Sequence, residues 1–398
     1  MSWIPQRLDR LGYLSRGRSR HRPRDAAHLY GGPYPFIQTG DVKHAGLYIT
    51  EYQQTYSEAG LDQSRMWPAG TLCITIAANI ADTAILSFDA CFPDSVIGFI
   101  PDEQKADARF IKYLFDTTIQ RQIQQFTQGA AQDNLSQEKL LSITFRIPGV
   151  DEQKRIASIL STYDDLIENN RRRMALLEES ARLLYREWFV RPRFPGHEHT
   201  RVVDGVPEGW KNVPMPEAIE INPLTQLSDD EEHWYVEMAD LSKDSMVIQN
   251  AVKRDGRSGS KFRNGDTLLA RITPCLENGK TGFVNFMVFD EAGRGSTEFI
   301  VLRSKRVTPE FVYCLARTYH FRENAIKSMI GSSGRQRVQE SCFDKFIVWL
   351  PPRSILRLFT DFAEPIFEQI KTLHSQNQKL RVARDLLLPR LMSGEIAV

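Results

Sequence analysis

Residues 147–190 read IPGVDEQKRIASILSTYDDLIENNRRRMALLEESARLLYREWFV. Taking Ile156, Leu160, Tyr163, Ile167, Asn170, Met174, Leu177, Ala181, Leu184 and Trp188 in turn, the steps alternate four and three. That spacing is the seam of a long amphipathic helix built for a coiled coil, and it is interrupted by a single amide. A helix of about 38 residues rises ~57 Å at 1.5 Å per residue. The Pro-Gly pair ahead of the seam marks where the preceding element ends.

The same plan recurs about 200 residues later. Leu350-Pro351 opens a second stretch with seam positions Phe359, Ala363, Ile366, Ile370, Leu373, Asn377, Leu380, Arg384, Leu387 and Leu391. It also carries one seam amide, and a less comfortable Arg384. A buried Asn is costly without a partner, so it fixes register. Parallel pairing of equivalent positions sets Asn170 against Leu373 and Met174 against Asn377. In the antiparallel alternative facing residue numbers add to 547, so Ile156 meets Leu391 and Asn170 meets Asn377. Antiparallel is the expectation, with Asn170 and Asn377 setting the register.

Working outward, each helix is preceded by a globular stretch with the same order of features. Thr127–Leu135 and Ile330–Val338 are Gly-containing polar loops, and each leads to a strand-like run, Ile143–Ile147 and Phe346–Leu350. Phe36–Val42 echoes Tyr235–Leu241, Ala69–Ile74 echoes Asn264–Leu269, and Phe110–Leu114 echoes Phe311–Leu315. Short alternating runs and turn residues such as Asn278-Gly279 give these parts an α+β character. The expected division is a first globular domain at 1–147, a spacer helix at 148–190 and a Pro/Gly-rich linker at 191–206. A second globular domain at 207–350 and a second spacer helix at 351–398 complete a pseudo-twofold internal repeat.

With 398 residues, 41% hydrophobic and 25% charged, the chain has the composition of a multidomain globular protein. No apolar run is long enough for a membrane helix, and the Arg-rich start does not read as a secretory signal. Five scattered cysteines without a CxxC pair fit a reducing cytoplasm better than a disulfide framework. The net charge of +1 hides basic segments. Residues 1–30 hold seven Arg against two Asp, 253–280 seven basic against three acidic, and 303–337 eight against two. Such segments suit a polyanion as well as plain solvent.

Catalytic signatures are missing: there is no phosphate-binding GxxxxGK[ST], no dinucleotide GxGxxG, no HExxH and no GxSxG. His197-Glu-His199 offers two imidazoles in a polar linker. Asp94, Glu103 and Lys105 match the short pattern of Mg²⁺-dependent nucleases, which need carboxylates on the metal and a Lys near the attacking water. The polar loops suit binding better. Ser333, Arg335 and Arg337 offer a hydroxyl and guanidiniums to phosphates or guanine edges, and Arg271 and Lys280 bracket a neighbouring turn. Gln128, Gln132 and Asn134 are the first-half counterpart, suited to adenine edges or sugar–phosphate contacts.

Three segments, Ile147–Ile156 with Ala157, Ile159 and Leu160, then Pro207-Glu-Gly-Trp210, then the tail Arg384–Ile396, make the chain resemble the specificity subunits of type I restriction–modification systems. The resemblance covers the whole chain, but the second helix lacks the Glu-Gln that follows the proline of the first. It implies two target-recognition domains, each reading one half of a split, asymmetric DNA sequence, with the long helices as spacer and as docking surface for two methyltransferase subunits. It further implies restriction subunits, with S-adenosylmethionine, ATP and Mg²⁺ bound by those partners and no active site in this chain. The alternatives are a free-standing Mg²⁺ nuclease and a coiled-coil scaffold without DNA contact.

Overall fold

Val150–Tyr185 and Arg353–Met392 are continuous α-helices of 36 and 40 residues. The first passes into a wider π turn over Arg186–Val190. In the computed structural model the described residues are 3–77, 80–119, 137–228, 232–288, 290–332 and 334–398. They divide into two compact units, one made of Met1–Asn169 with Asn377–Val398, the other of Asn170–Gln376. The division falls inside both helices because each helix segment packs on globular chain. Ile156, Ala157 and Leu160 share one apolar cluster with Leu72, Phe99 and Phe110, and Ala181 and Tyr185 share another with Phe311 and Val312.

In the first unit, a five-stranded sheet orders Gly12–Arg16, Val96–Pro101, Leu72–Thr75, Thr83–Leu86 and Tyr48–Ile49. A four-stranded sheet orders Gln54–Tyr56, Tyr30–Phe36, Ala90–Cys91 and Met66–Trp67. The central strands Leu72–Thr75 and Thr83–Leu86 are buried throughout, as apolar runs covered on both faces must be. Phe145–Ile147, just ahead of the first helix, pairs antiparallel with Ile4–Gln6. Asp107 caps the helix Ala108–Leu114 by accepting from the backbone amides of Arg109 and Phe110.

Gln153 explains the motif that opens the first helix. Its side chain is fully buried, accepts from the Asp107 amide at 3.2 Å, and donates to the Lys105 and Pro148 carbonyls at 3.0 and 2.9 Å. One amide thereby clamps the helix N-terminus to the turn that starts Ala108–Leu114. Replacing Gln153 by Leu is expected to cost about 2–4 kcal/mol, because a buried donor and two carbonyls lose their partner. Urea unfolding followed by near-UV dichroism checks this, and a loss under 1 kcal/mol would show the clamp to be dispensable.

Within the first unit the two helix segments run in opposite directions. Arg384 pairs with Asp164, the Asn377 side chain donates to the Ile167 carbonyl at 3.1 Å, and Leu391 joins the cluster of Ile156 and Leu160. Arg384 is accommodated in the seam because Asp164 answers its charge, and the Tyr113 hydroxyl donates to the same carboxylate at 2.5 Å. Asn377 therefore satisfies a donor on a backbone carbonyl of the facing helix segment. Asn170, in the second unit, is also buried.

The second unit contains two four-stranded sheets. One orders Ile219–Ile221, Phe299–Ser304, Thr267–Ala270 and Thr281–Phe283; the other Val252–Asp255, Glu232–Val236, Ala292–Gly295 and Ser260–Arg263. Ile347–Leu350, ahead of the second helix, pairs with Lys211–Pro214. The helix segments again run oppositely, with Tyr185 and Trp188 both against Phe359. The Pro/Gly-rich stretch expected as a linker carries a core residue: Phe194 is buried, its ring centroid 4.9 Å from that of Trp210, which is buried just beyond it. Hydrophobic burial of this kind ties the connection down, whatever its turn content.

Candidate nucleic-acid interface

Backbone pairing in the second unit assembles three segments that are distant in sequence. The Val338 amide donates to the Arg271 carbonyl at 2.9 Å, the Thr273 amide to the Gln336 carbonyl at 3.0 Å, and the Arg271 amide to the Glu298 carbonyl at 3.0 Å. The loop after Ile330 is closed by reciprocal bonds between Ile330 and Arg337, both 3.0 Å. Gly331 has φ +140°, and a Cβ there would meet the Arg335 carbonyl at 2.9 Å, so the tight turn needs glycine. The segments holding Arg271, Lys280, Arg335 and Arg337 are thus brought to one region.

Their charges are less available than the composition implied. Arg337 forms a forked pair with Glu298, with contacts of 2.7, 2.9 and 3.0 Å. That guanidinium holds the Glu298 carboxyl below its ordinary range, and the pairing raises Arg337. Arg271 reaches Glu340 at 3.0 Å and the Val338 carbonyl at 3.3 Å. Lys280 donates to the Met238 carbonyl at 2.7 Å. Arg335 is exposed and forms no ion pair with a described carboxylate. Gln128, Gln132, Asn134 and Ser333 lie outside the described residues.

The basic run 253–263 forms two strands of the second sheet, where Lys253 pairs with Glu291 at 3.3 Å and Arg254 with Glu237. Arg294 is buried, lies 4.6 Å from the Tyr235 ring centroid, and donates to the carbonyls of Arg254, Asp255 and Ser258. It therefore braces the turn that carries Arg257. Sequence reasoning did not single out Arg294, since nothing local distinguishes a bracing arginine from a surface one.

The nuclease pattern does not assemble. Asp94 precedes and Glu103 follows the six-residue strand Val96–Pro101, which spans about 20 Å at 3.3 Å per residue. Asp94 is paired with Arg24 at 2.8 Å and Lys105 with Asp102 at 2.7 Å. His197 turns its Nδ1 to the Phe194 carbonyl at 2.9 Å. Among the described residues, no three His, Cys, Asp or Glu side chains are grouped to hold a metal.

The family profile described as "Type I restriction modification DNA specificity domain" matches residues 10–179. The MjaIX specificity subunit of Methanocaldococcus jannaschii is 24% identical over 387 residues, covering 93% of this chain and 88% of the relative. The HindI specificity subunit of Haemophilus influenzae is 22% identical, covering 97% and 98%. Over nearly its whole length this chain is similar to type I restriction enzyme specificity subunits.

The EcoEI specificity subunit of Escherichia coli is 30% identical over 156 residues, covering 37% of this chain and 26% of the relative. The crystal structure of the type I restriction–modification system S subunit from M. genitalium shares the mixed helix–strand fold, with a TM-score of 0.56 at 14% identity over 98% of this chain and 96% of that one. The matched span 10–179 contains the Gln153 clamp and both partners of the Tyr113–Asp164 bond. No helix among the described residues is long and apolar enough to cross a membrane.

Proposed function

We propose that this specificity subunit reads a split, asymmetric double-stranded DNA target, one half through each of two target-recognition domains. The observation that carries the reading is the strand order of the two units. Edge strand, six-residue strand and two further buried strands follow one another in the larger sheet of the first unit and in its counterpart in the second. In both units the other sheet contains one parallel pair, Phe36 with Cys91 and Tyr235 with Arg294. A duplicated scaffold with unlike loops suits two unlike half-sites, as paired recognition elements read paired sites on DNA.

The long helices serve in this reading as spacer and as docking surface for two modification subunits. Ile159, Leu166, Leu176, Leu183 and Val190 stay exposed on the first helix, and Leu358, Phe362, Val382 and Leu386 on the second. Exposed apolar residues at heptad-like steps suit packing by partner helices. S-adenosylmethionine belongs to the modification subunits and ATP with Mg²⁺ to the restriction subunits, and the assembly works in the cytoplasm.

Single-molecule methylome sequencing of the host, with and without this gene, tests the proposal. Deletion is expected to abolish N6-methyladenine at one split motif, and a plasmid copy to restore it. An unchanged methylome in a strain with an intact cognate modification subunit would overturn it.

A further inference from the structure

The sequence between Ser15 and Asp25 places arginine at every second position: 16, 18, 20, 22 and 24. In the first unit this alternation is matched by alternating burial. Gly17 and Ser19 are buried, whereas Arg16, Arg18 and Arg20 are exposed. The strand Gly12–Arg16 ends within the row, yet the backbone stays tied to the fold beyond it. The Gly17 amide donates to the Val96 carbonyl at 2.9 Å and the Arg18 amide to the Phe92 carbonyl at 3.1 Å. A Cβ on Gly17 would lie 2.2 Å from the Phe92 carbonyl, so only glycine allows this approach. Ser64 donates its hydroxyl to the Arg18 carbonyl at 2.9 Å, and the Gln63 side chain accepts from the Arg20 and His21 amides at 2.6 and 3.0 Å. The backbone is therefore held by seats that do not use the guanidiniums.

The row's far end is occupied: Arg22 folds onto the Ser19 and His21 carbonyls, and Arg24 pairs with Asp94. Arg16, Arg18 and Arg20 have no ion pair with a described carboxylate. Alternate residues of an extended chain lie ~6.6 Å apart, so three guanidiniums span about 13 Å. Phosphates recur at regular steps along each strand of duplex DNA, so a row of three cations of this length can face successive phosphates. In the second unit, by contrast, Arg337, Arg271, Arg254 and Lys253 are each paired with a glutamate.

We propose that Arg16, Arg18 and Arg20 form a phosphate rail along one DNA strand, so that the first unit supplies a sequence-independent anchor which the paired cations of the second do not. This rests on the DNA-reading function proposed above. Phosphate contacts position a protein without reading bases, and each releases counterions, contributing about 0.9 to the slope of log affinity against log salt.

The test uses the full chain with its modification subunits and duplexes with and without the methylated motif, at several KCl concentrations. Changing the three residues together to Gln is expected to lower the slope by about 2–3 on both duplexes and affinity on the order of a hundredfold at 0.1 M salt. The methylated motif stays the same, and Arg→Lys at all three positions restores the slope, since a phosphate needs charge and not a guanidinium fork. An unchanged slope in the Gln variant, with wild type binding DNA normally, overturns the rail and leaves the DNA-reading function standing. Loss confined to the motif-bearing duplex, or an altered motif, overturns it in favour of base reading. Wild type without affinity for either duplex, and a methylome indifferent to the gene, would sink the function itself.

Discussion

Replacing Asp266 by Ala is expected to destabilise the second unit by about 3–5 kcal/mol, enough to abolish its folding at 37 °C in a marginal protein. Asp266 is fully buried and Arg303 is 7% exposed. The carboxylate accepts two parallel bonds from the Arg303 guanidinium, at 2.8 and 2.7 Å, and a third from the Arg263 amide at 2.8 Å. Thr225 takes a remaining guanidinium donor at 2.9 Å. Deleting the acid leaves a buried charge with one hydroxyl for company, and the desolvation already suffered is no longer offset. Deleting both partners is a different matter: Asp266→Leu with Arg303→Met should cost far less than the single change, because no unpaired charge remains. Denaturant unfolding of wild type, Asp266→Leu, Arg303→Met and the double variant, with Asp266→Ala alongside, decides it. A single-variant loss near 1 kcal/mol would mean that water reaches Arg303 easily.

The second large effect centres on Glu178, which lies on the first long helix and is 2% exposed. Its carboxylate accepts from the Tyr313 hydroxyl at 2.5 Å and from the Met246 amide at 2.7 Å. Glu178→Leu strands two buried donors and is expected to cost about 2–5 kcal/mol. Burial raises the carboxyl above its usual range against the opposing pull of the Tyr313 and Met246 bonds. A raised folded-state value means that the folded protein holds the proton more tightly than the unfolded chain. The associated stability is thus fully present below the unfolded value of about 4.3 and is lost as pH rises through the folded one. Urea midpoints measured across that window should fall with pH in wild type, and Glu178→Gln should remove this component. Equal pH slopes in the two proteins would show that the carboxyl titrates as an ordinary one.

Both effects depend on residues that sequence reading passed over, and the reason is distance along the chain. Asn264-Gly-Asp266 is legible as a turn, and Gly265 does adopt φ +89°. That the aspartate would find an arginine 37 residues later in the chain is not written in any local pattern. Arg384 shows the same limit from the other side. The heptad marks it as misplaced in an apolar seam, and its remedy, Asp164, lies 220 residues away. Glu178 falls beside the seam residue Leu177, where a periodic reading assigns it to solvent.

The helical seam, by contrast, needed no tertiary knowledge. Nearly all its positions are set by periodicity that any amphipathic helix must satisfy to bury one face, and Ile156, Leu160, Phe359, Ala363, Ile370 and Leu373 are buried accordingly. Strand-like runs likewise marked Leu72–Thr75 and Ile347–Leu350, of which the second alternates with the pleat and the first is buried on both faces.

What the chain alone determined about this protein is therefore the faces its helices bury and the segments where basic charge collects. These follow from interactions between residues a turn or a pleat apart, and sequence spacing records them directly. Only the tertiary structure decided which of those charges remain free. Arg337 is answered by Glu298 and Arg271 by Glu340, across 39 and 69 residues, while Arg16, Arg18 and Arg20 are left in solvent by a backbone anchored on Gln63 and Ser64. A charge is neutralised by whatever carboxylate the fold brings within about 4 Å, and that distance is a property of packing, not of position along the chain.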